Sequence, residues 1–381
     1  MPGPDKRIRE RLDAGALRVC FITDINTPYM APVFEALAAR CELTVLFGSK
    51  TGSRAMAWSL AAPRFRHRVV GGPAIRRSAD AADIYPSPRV LAELRRARPD
   101  VVISGGFSFP SLYAAAYCRT SRARLLVQSD GTSRSEAGLG RDQRLTRALL
   151  ARAAHGAVGN SRLATERLAE LGFEPVFDAP HSTDIERFLD VGRARVQRAD
   201  GAIRVVTVGR LLAAKGIDLL LRAVAQARDQ GVAVSVTIVG EGDDEPRLRA
   251  LASELALTDV HWQGFVEPGD LPAQLARADL FAFPTLGDTF GIVLLEAAAA
   301  GLPLVCSPHA GAAGDLVRDG ETGFVVEPRD TGAYAGALIT LAGDAGLRRG
   351  MGRAAHELAS RRTPADTAAA YLAAATEVAL S

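Results

Sequence analysis

Short β-branched apolar runs alternate with longer alanine- and leucine-rich segments along the chain, and nothing else in it constrains the fold as strongly. "LRVCFITD", "CELTVLF", "DVVISGG", "RLLVQSDG" and "GAVGNS" read as strands, with helices at 31–40, 87–98, 110–119, 141–154 and 162–171. After "STDIERFLDVGRARVQRADG" the rhythm restarts. "IRVVTVGR", "VSVTIVGEG", "VHWQGF", "LFAFPT", "PLVCSP" and "GFVVEP" then read as strands, separated by helices at 216–229, 245–256, 271–277, 290–300 and 331–343. Strands alternating with helices argue for parallel sheets covered on both faces. The expectation is an α/β protein of two doubly wound, Rossmann-like domains facing each other across a cleft, joined by a polar linker near 190–201. At 381 residues the chain is also too long for one ordinary domain. No fixed-period repeat or low-complexity tract is read in it.

In such sheets ligands bind outside the carboxyl ends of the strands, so the strand exits are where chemistry is sought. The stretch "FPTLGDTFGIVLLEAAAAGLPLV" ends a buried strand, turns through "LGDTFG" and enters a helix at about 289–291. Free N–H groups at that helix start make an anion-ready site beside Asp288. Glu296 lies one to two turns inside, among Ile292, Val293, Leu294, Leu295 and four alanines. An unpaired carboxylate buried there is costly, so it needs donors. The two hydroxyls of a ribose qualify, an arginine from the facing domain also does, and an exposed glutamate needs neither.

A second exit, "VVTVGRLLAAKGIDLLLRA", places Gly209, Arg210, Lys215 and Gly216 at a strand–helix junction. Arginine and lysine there suit a diphosphate through charge-assisted bonds, although solvated bases at a helix entry read equally simply. The string is not a Walker A loop, because the lysine lacks the preceding glycine and the following Ser/Thr. "IVGEGDDEPRL", "VHWQGFVEPGDLP" and "SPHAGAAGDLVRDGETGFVVEP" supply further exits. "GEG" alone is a weak glycine signal.

Other chemistries lack a residue set. The six histidines are dispersed, with no His-Glu-x-x-His and no Asp-x-Asp, so no metal is expected. Cys20, Cys41, Cys118 and Cys306 have no ligand or redox spacing and read as reduced, mostly buried thiols of a cytoplasmic protein. The N-terminus shows no apolar signal core, and no apolar run is long enough to span a bilayer. The net charge of +3 divides into +8 over residues 1–190 and −5 over the remainder. A basic first half attracts an anionic acceptor or, at most, makes peripheral contact with an acidic membrane surface. Its dispersed arginines do not describe a nucleic-acid groove.

In their order and spacing, the segments over roughly 200–360 resemble the donor-binding domain of the retaining glycosyltransferases with the GT-B fold (glycosyltransferase family 4, glycosyl transferases group 1 type). "GRLLAAKG" is similar to that family's Gly-Arg-Leu…Lys-Gly segment, and "DTFGIVLLE" to its paired-acid motif, with Asp288 as the first acid. The resemblance implies Arg210 and Lys215 on the donor diphosphate, Asp288 on hydroxyls of the transferred sugar and Glu296 on the ribose. It also implies that Phe290 and Gly291 offer backbone N–H groups to sugar and phosphate.

By the same resemblance residues 1–192 form an acceptor-binding domain and 200–362 the donor domain, with a last helix at 364–381 packing back on the first. The implied activity is transfer of a hexose-type sugar from a nucleoside-diphosphate sugar to an acceptor hydroxyl with retention. Neither cofactor nor metal is expected, and the acceptor is a small molecule, a glycan or a lipid carrier. The N-terminal half departs from the family. "TDINTPYMAPVFEAL", with Tyr29, replaces its glycine-rich loop, and Asp130-Gly131 in "LLVQSDGT" replaces its His-Gly pair. Asp130 reads as a carboxylate that accepts a sugar hydroxyl or stabilises positive charge at the anomeric carbon, or else as a turn residue. Gly105 and Gly106 of "ISGGF" are the third part of that wall, and His181 reads as structural. A same-fold epimerase, a phosphorylase and a non-catalytic sugar-nucleotide-binding homologue are the rival readings. For the phosphorylase, neither Lys50 nor Lys215 sits in a recognisable cofactor setting.

Overall fold

The computed structural model describes residues 11, 16–49, 62–72, 86–195 and 202–381. The N-terminal residues 1–10, Lys50 and the 196–201 part of the expected linker lie outside them. The chain divides into two compact units, Met1–Thr183 with Thr363–Ser381, and Asp184–Arg362.

In the first unit the strands are β1 (Arg18–Thr23), β2 (Glu42–Phe47), β3 (His67–Val69), β4 (Val101–Gly105), β5 (Arg124–Ser129), β6 (Ala157–Gly159) and β7 (Val176–Asp178). They form a parallel sheet in the order β3-β2-β1-β4-β5-β6-β7. Helices α1 (Ala31–Ala38), α2 (Arg89–Ala97), α3 (Phe109–Thr120), α4 (Arg141–Ala153) and α5 (Arg162–Glu170) connect them. Strand order reverses at β1/β4, so α1 covers one face while α2 to α5 cover the other. Two apolar cores follow from that split. Phe21, Phe34, Val45 and Ile103 pack on the α1 side, and Cys20, Leu94, Val102, Leu125 and Leu150 on the other.

The second unit contains α6 (Glu186–Ala194), β8 (Ile203–Val208), α7 (Ile217–Asp229), β9 (Val234–Val239), α8 (Glu245–Glu254), β10 (Val260–Gly264), α9 (Leu271–Ala276) and β11 (Leu280–Phe283). It continues through α10 (Ile292–Ala299), β12 (Leu304–Cys306), β13 (Gly323–Val325), α11 (Thr331–Gly343) and α12 (Ala345–Ala359). Its sheet is again parallel, in the order β10-β9-β8-β11-β12-β13. The final helix, α13 (Pro364–Leu380), belongs to the first unit, where it packs on α1 and buries Tyr371.

Four elements depart from the sequence reading. The units divide at Thr183/Asp184 rather than near 192, because Ile185, Phe188 and Leu189 bury themselves in the second unit's core. That makes the first half of the supposed linker a helix, α6. Short strands β3 and β7, three residues each and largely unburied, carry too few apolar positions to register as strands. Helix α12 is hidden by three glycines and three arginines in "AGLRRGMGRAAHELA". All four cysteines are buried and free.

Each unit opens on the same ionic staple, a repeat that the sequence reading missed. Arg18 and Arg204 stand at the starts of the central strands β1 and β8. Each donates backbone and guanidinium N–H groups to an aspartate just before the neighbouring strand. Arg18 reaches Asp100 at 3.0, 3.2 and 2.8 Å, and Arg204 reaches Asp279 at 2.9, 3.0 and 2.7 Å. Burial alone raises both carboxyl pKa values, but the arginine hydrogen bonds and charge outweigh it, leaving both below the ordinary carboxylate value. A folded-state pKa held below the unfolded one contributes stability above the unfolded value, and that contribution is lost as pH falls through the folded value. Wild type is therefore expected to lose more unfolding free energy than Asp279→Asn between pH 7 and pH 3 in urea titrations. Equal losses contradict this account.

Candidate functional site

The exits of β8 and β11 lie side by side because these strands pair in the sheet. After β8 the chain runs through Gly209 and Arg210 to a single 3₁₀ turn, Ala213–Lys215, and then into α7. The turn is laced to the β11 exit, with Leu286 N–H donating to the Ala214 carbonyl at 2.8 Å and the Thr285 hydroxyl to the same oxygen at 3.2 Å. This lacing places Lys215 Nζ 2.6 Å from Asp288 Oδ2. Both side chains stay about one-fifth exposed. Arg210 is half-buried, and its guanidinium makes no hydrogen bond or ion pair with the described residues. Lys215 and Asp288 thus meet at the paired exits of β8 and β11, and Arg210 stands on the same β8 exit.

Asp288 is fixed from three sides. Its Oδ1 accepts the Phe290 N–H at 3.1 Å, its own N–H donates to the His309 carbonyl at 3.2 Å, and its carbonyl accepts the Gly311 N–H at 2.9 Å. Gly311 is required here by space, since a Cβ on it would stand 1.7 Å from the Thr289 carbonyl oxygen. Nε2 of the buried His309 in turn pairs with Glu327 at 2.7 Å, bracing the loop from behind.

Helix α10 begins at Ile292, slightly later than its sequence suggested. Gly291 is its cap residue, at φ 88°. The Phe290 side chain is buried in the core and its amide is taken by Asp288, so an anion at this site must displace that carboxylate to use it. The amides of Gly291, Ile292 and Val293 donate to no acceptor among the described residues. Uncommitted amides at a helix start favour negative charge.

Glu296 sits just over one turn into α10. Part of the residue remains exposed, yet its carboxyl is enclosed, and burial pushes its pKa up to about 8, opposed by Arg187 on α6. No hydrogen bond or ion pair to the carboxylate is found among the described residues. A buried acid without a donor fits a group completed by a ligand. Beyond it, Glu241, Gly242, Arg249, Trp262 and Gly264 line an open, mostly polar groove at the exits of β9 and β10.

The remaining candidates lie in the first unit, at the carboxyl edge of its sheet. Asp130 follows β5, Gly105 ends β4 with Gly106 just after it, and Tyr29 lies in the loop after β1. The Gly106 N–H donates to the Gln128 carbonyl at 2.8 Å, which ties two of these exits together. His181 is buried and packs edge-on against Tyr29, with ring centroids 5.9 Å apart.

Sequence reasoning missed the brace beneath Asp130. Glu136 is buried with Arg147 Nη2 at 2.5 Å and Arg167 Nε at 3.0 Å, and Arg147 lies over the Phe107 ring at 4.2 Å. The brace pins the loop after Asp130 to α4 and α5. Its members are up to 31 residues apart and match no local motif, so only the fold reveals them. Among the described residues no group of three or more His, Cys, Asp or Glu side chains is placed to hold a metal ion.

The family model described as glycosyl transferases group 1 matches residues 192–358. Two curated relatives show the extent of the likeness. A GDP-mannose-dependent alpha-(1-6)-phosphatidylinositol monomannoside mannosyltransferase of Mycobacterium tuberculosis is 35% identical over 207 residues, covering 51% of this chain and 54% of the relative. A D-inositol 3-phosphate glycosyltransferase of Salinispora tropica is 34% identical over 218 residues, 54% of this chain and 45% of the relative. The chain thus spans about half the length of the curated relatives it matches. Among solved structures, Anabaena Alr3699/HepE in complex with UDP superposes with a TM-score of 0.75 at 21% identity, covering 94% of this chain and 99% of that one. Sucrose-phosphate synthase from Thermosynechococcus elongatus gives 0.73 at 17% identity, covering 94% and 98%. The fold is GT-B, built from two Rossmann-like units.

Proposed function

We propose that the chain, whose residues 192–358 match the family model described as glycosyl transferases group 1, transfers a hexose-type sugar from a nucleoside-diphosphate sugar to an acceptor hydroxyl, with retention of anomeric configuration. One observation carries this reading: Lys215 and Asp288 meet at 2.6 Å, at the start of the helix that holds Glu296. In the reading, Arg210, Lys215 and the free amides at the start of α10 take the diphosphate. They stabilise the charge that grows on the leaving group as the sugar departs. Asp288 turns from Lys215 to hydroxyls of the sugar, and Glu296 takes the ribose. The two cations supply diphosphate neutralisation from the chain's own residues, so no metal is called for.

The relatives named above support a glycosyl acceptor of inositol or lipid type, and the UDP complex of the structural neighbour supports a nucleotide donor. Among the described residues no helix is long and apolar enough to cross a membrane.

Glu296 provides the test. With its pKa raised to about 8, the carboxyl is protonated at pH 7 in the free protein, whereas ribose hydroxyls are held best by the ionised form. Binding must then release a proton. Affinity should rise about tenfold per pH unit up to pH 8 and level off above it. Calorimetric titration with UDP-, GDP-, ADP- and dTDP-sugars at pH 6, 7 and 8.5 checks this, with Glu296→Gln expected to give a flat profile. Undiminished nucleotide-sugar affinity in Glu296→Ala removes the ribose assignment. If no donor binds wild type, the reading itself fails.

A further inference from the structure

Helix α6 opens the second unit, and its Phe188 and Leu189 enter the core that also holds Leu294, Leu295 and Ala298 of α10. The helix thereby packs on both α9 and α10. Arg187 precedes Phe188 and stands at the border of that inward face. Its guanidinium is held on two sides. Nη1 lies against Gly269 in the loop that leaves β10, where a Cβ would stand 3.6 Å away, and Nε is 3.7 Å from Asp184 Oδ2. A cation is thus fixed at a strand exit, within electrostatic reach of the Glu296 carboxyl. Removing the proton from an enclosed carboxyl leaves a buried charge, which needs an opposite charge nearby. The elements packed against α10 carry other charges: Glu186, Asp190 and Arg193 on α6, and Arg348, Arg349, Arg353, His356 and Glu357 on α12. Cys306 is the titratable group of β11 and β12. Arg187 is the charge that opposes the burial of Glu296.

We propose that Arg187 is a positioning residue for donor binding, the counter-charge that lets Glu296 accept ribose hydroxyls as a carboxylate. The inference rests on the ribose reading of Glu296 and names the residue that sustains it near neutral pH. Arg187 acts through Glu296 and needs no contact with the donor. Asp184 competes for the same guanidinium, so the pull on Glu296 is what that ion pair leaves over. The Arg187 side chain is 46% exposed, and solvent screening keeps the effect moderate. The sign follows from the charge. Without the guanidinium the carboxylate is less stable, so Glu296 keeps its proton to a higher pH. Binding that needs the ionised form is then weakened at pH 7 and regained once the pH is high enough to ionise the group.

Calorimetric affinities for UDP, GDP and inorganic pyrophosphate are measured at pH 6, 7, 8.5 and 9.5 in the full chain. The variants are Arg187→Gln, Arg187→Lys and Asp184→Asn, each checked by thermal melt. For the nucleoside diphosphate that wild type binds, Arg187→Gln is expected to lose about three- to tenfold at pH 7 and to match wild type at pH 9.5. Arg187→Lys keeps the charge and is expected to stay near wild type throughout. Asp184→Asn frees the guanidinium and is expected to bind more tightly than wild type at pH 7. Pyrophosphate has no ribose, so wild type and Arg187→Gln are expected to hold it alike at every pH. A loss of equal size at all pH values overturns the proposal and makes Arg187 a direct contact or a purely structural residue. A matching loss for pyrophosphate overturns it too, as does a pH 7 loss in Arg187→Lys as large as that in Arg187→Gln. If wild type binds neither nucleotide, the donor-site reading falls and this inference with it. Wild-type binding with an unmoved Arg187→Gln profile removes this inference alone.

Discussion

Replacing Lys215 with alanine is expected to lower kcat/KM for transfer by about 10²–10³-fold, the range associated with removing one preorganised group that stabilises transition-state charge. Two effects act together. The variant loses a cation aimed at the departing diphosphate, and it leaves Asp288 with no counter-charge where the anion must sit. Asp288 lies 2.6 Å from Lys215, so the second effect is separable by experiment. In a Lys215→Ala/Asp288→Asn double variant, nucleoside-diphosphate affinity is expected to recover while transfer stays low. Lys215→Arg is expected to restore only part of the rate, since a planar guanidinium does not reproduce a compact ammonium. Steady-state kinetics on the preferred donor, with calorimetry for the diphosphate alone, distinguishes these outcomes. Wild-type kcat/KM in Lys215→Ala would remove the residue from the machinery.

The second large effect concerns stability and is read from Arg195, just after α6. Its Nε and both Nη atoms donate to the carbonyls of Ala300, Ala278 and Leu275 at 2.7, 2.7 and 2.8 Å. The first of these carbonyls caps the C-terminus of α10, and the other two lie at and just beyond the C-terminus of α9. Burial pushes the guanidinium pKa down to about 10, against the raising influence of Asp279, so the charge sits in an enclosed place. His356 adds a ring nitrogen 2.7 Å from the Ala299 carbonyl at the same helix end. Arg195→Ala removes three hydrogen bonds at once and leaves the Ala278 and Ala300 carbonyls without a donor, and a loss of about 3 kcal/mol is expected. Urea unfolding followed by circular dichroism should show the midpoint fall with little change in slope. Arg195→Lys can satisfy the three carbonyls less well and is expected to fall between. An unchanged midpoint in the alanine variant contradicts the account. Because the same helix holds Glu296, nucleotide-sugar affinity should weaken along with stability.

Much of the fold was legible because period and chemistry agreed. Runs such as "IRVVTVG" and "LFAFP" are too uniformly apolar and β-branched for a surface, and the helices between them supply the covering. The missed elements show where that logic fails. Helix α6 sits in "DIERFLDVGRARV", whose charges make it look like a tether, but Phe188 and Leu189 suffice to draw it into the second unit's core. Helix α12 has a glycine at every turn or so, a composition that local propensity reads as loop. Tertiary packing overrides both signals.

Within the candidate site, the sequence presented candidate residues but could not show how they are committed. Phe290 and Gly291 looked like donors to a ligand, yet the Phe290 amide is spent on Asp288 in the unliganded protein. The brace of Glu136, Arg147 and Arg167 gave no local sign at all. Its members are ordinary charged residues on ordinary helices until α4 and α5 bring them together.

The sequence by itself determined the alternation of strand and helix, the two sheets, the strand exits at which Arg210, Lys215 and Asp288 stand, and the helix that carries Glu296. These follow from hydrophobic period and turn chemistry, which are local. Only the tertiary structure decided that Lys215 and Asp288, 73 positions apart, share an ion pair. That depends on β8 and β11 being neighbours in the sheet. Parallel strands are joined by crossovers whose length says nothing about which strand lies beside which, so the register of the sheet places the chemistry.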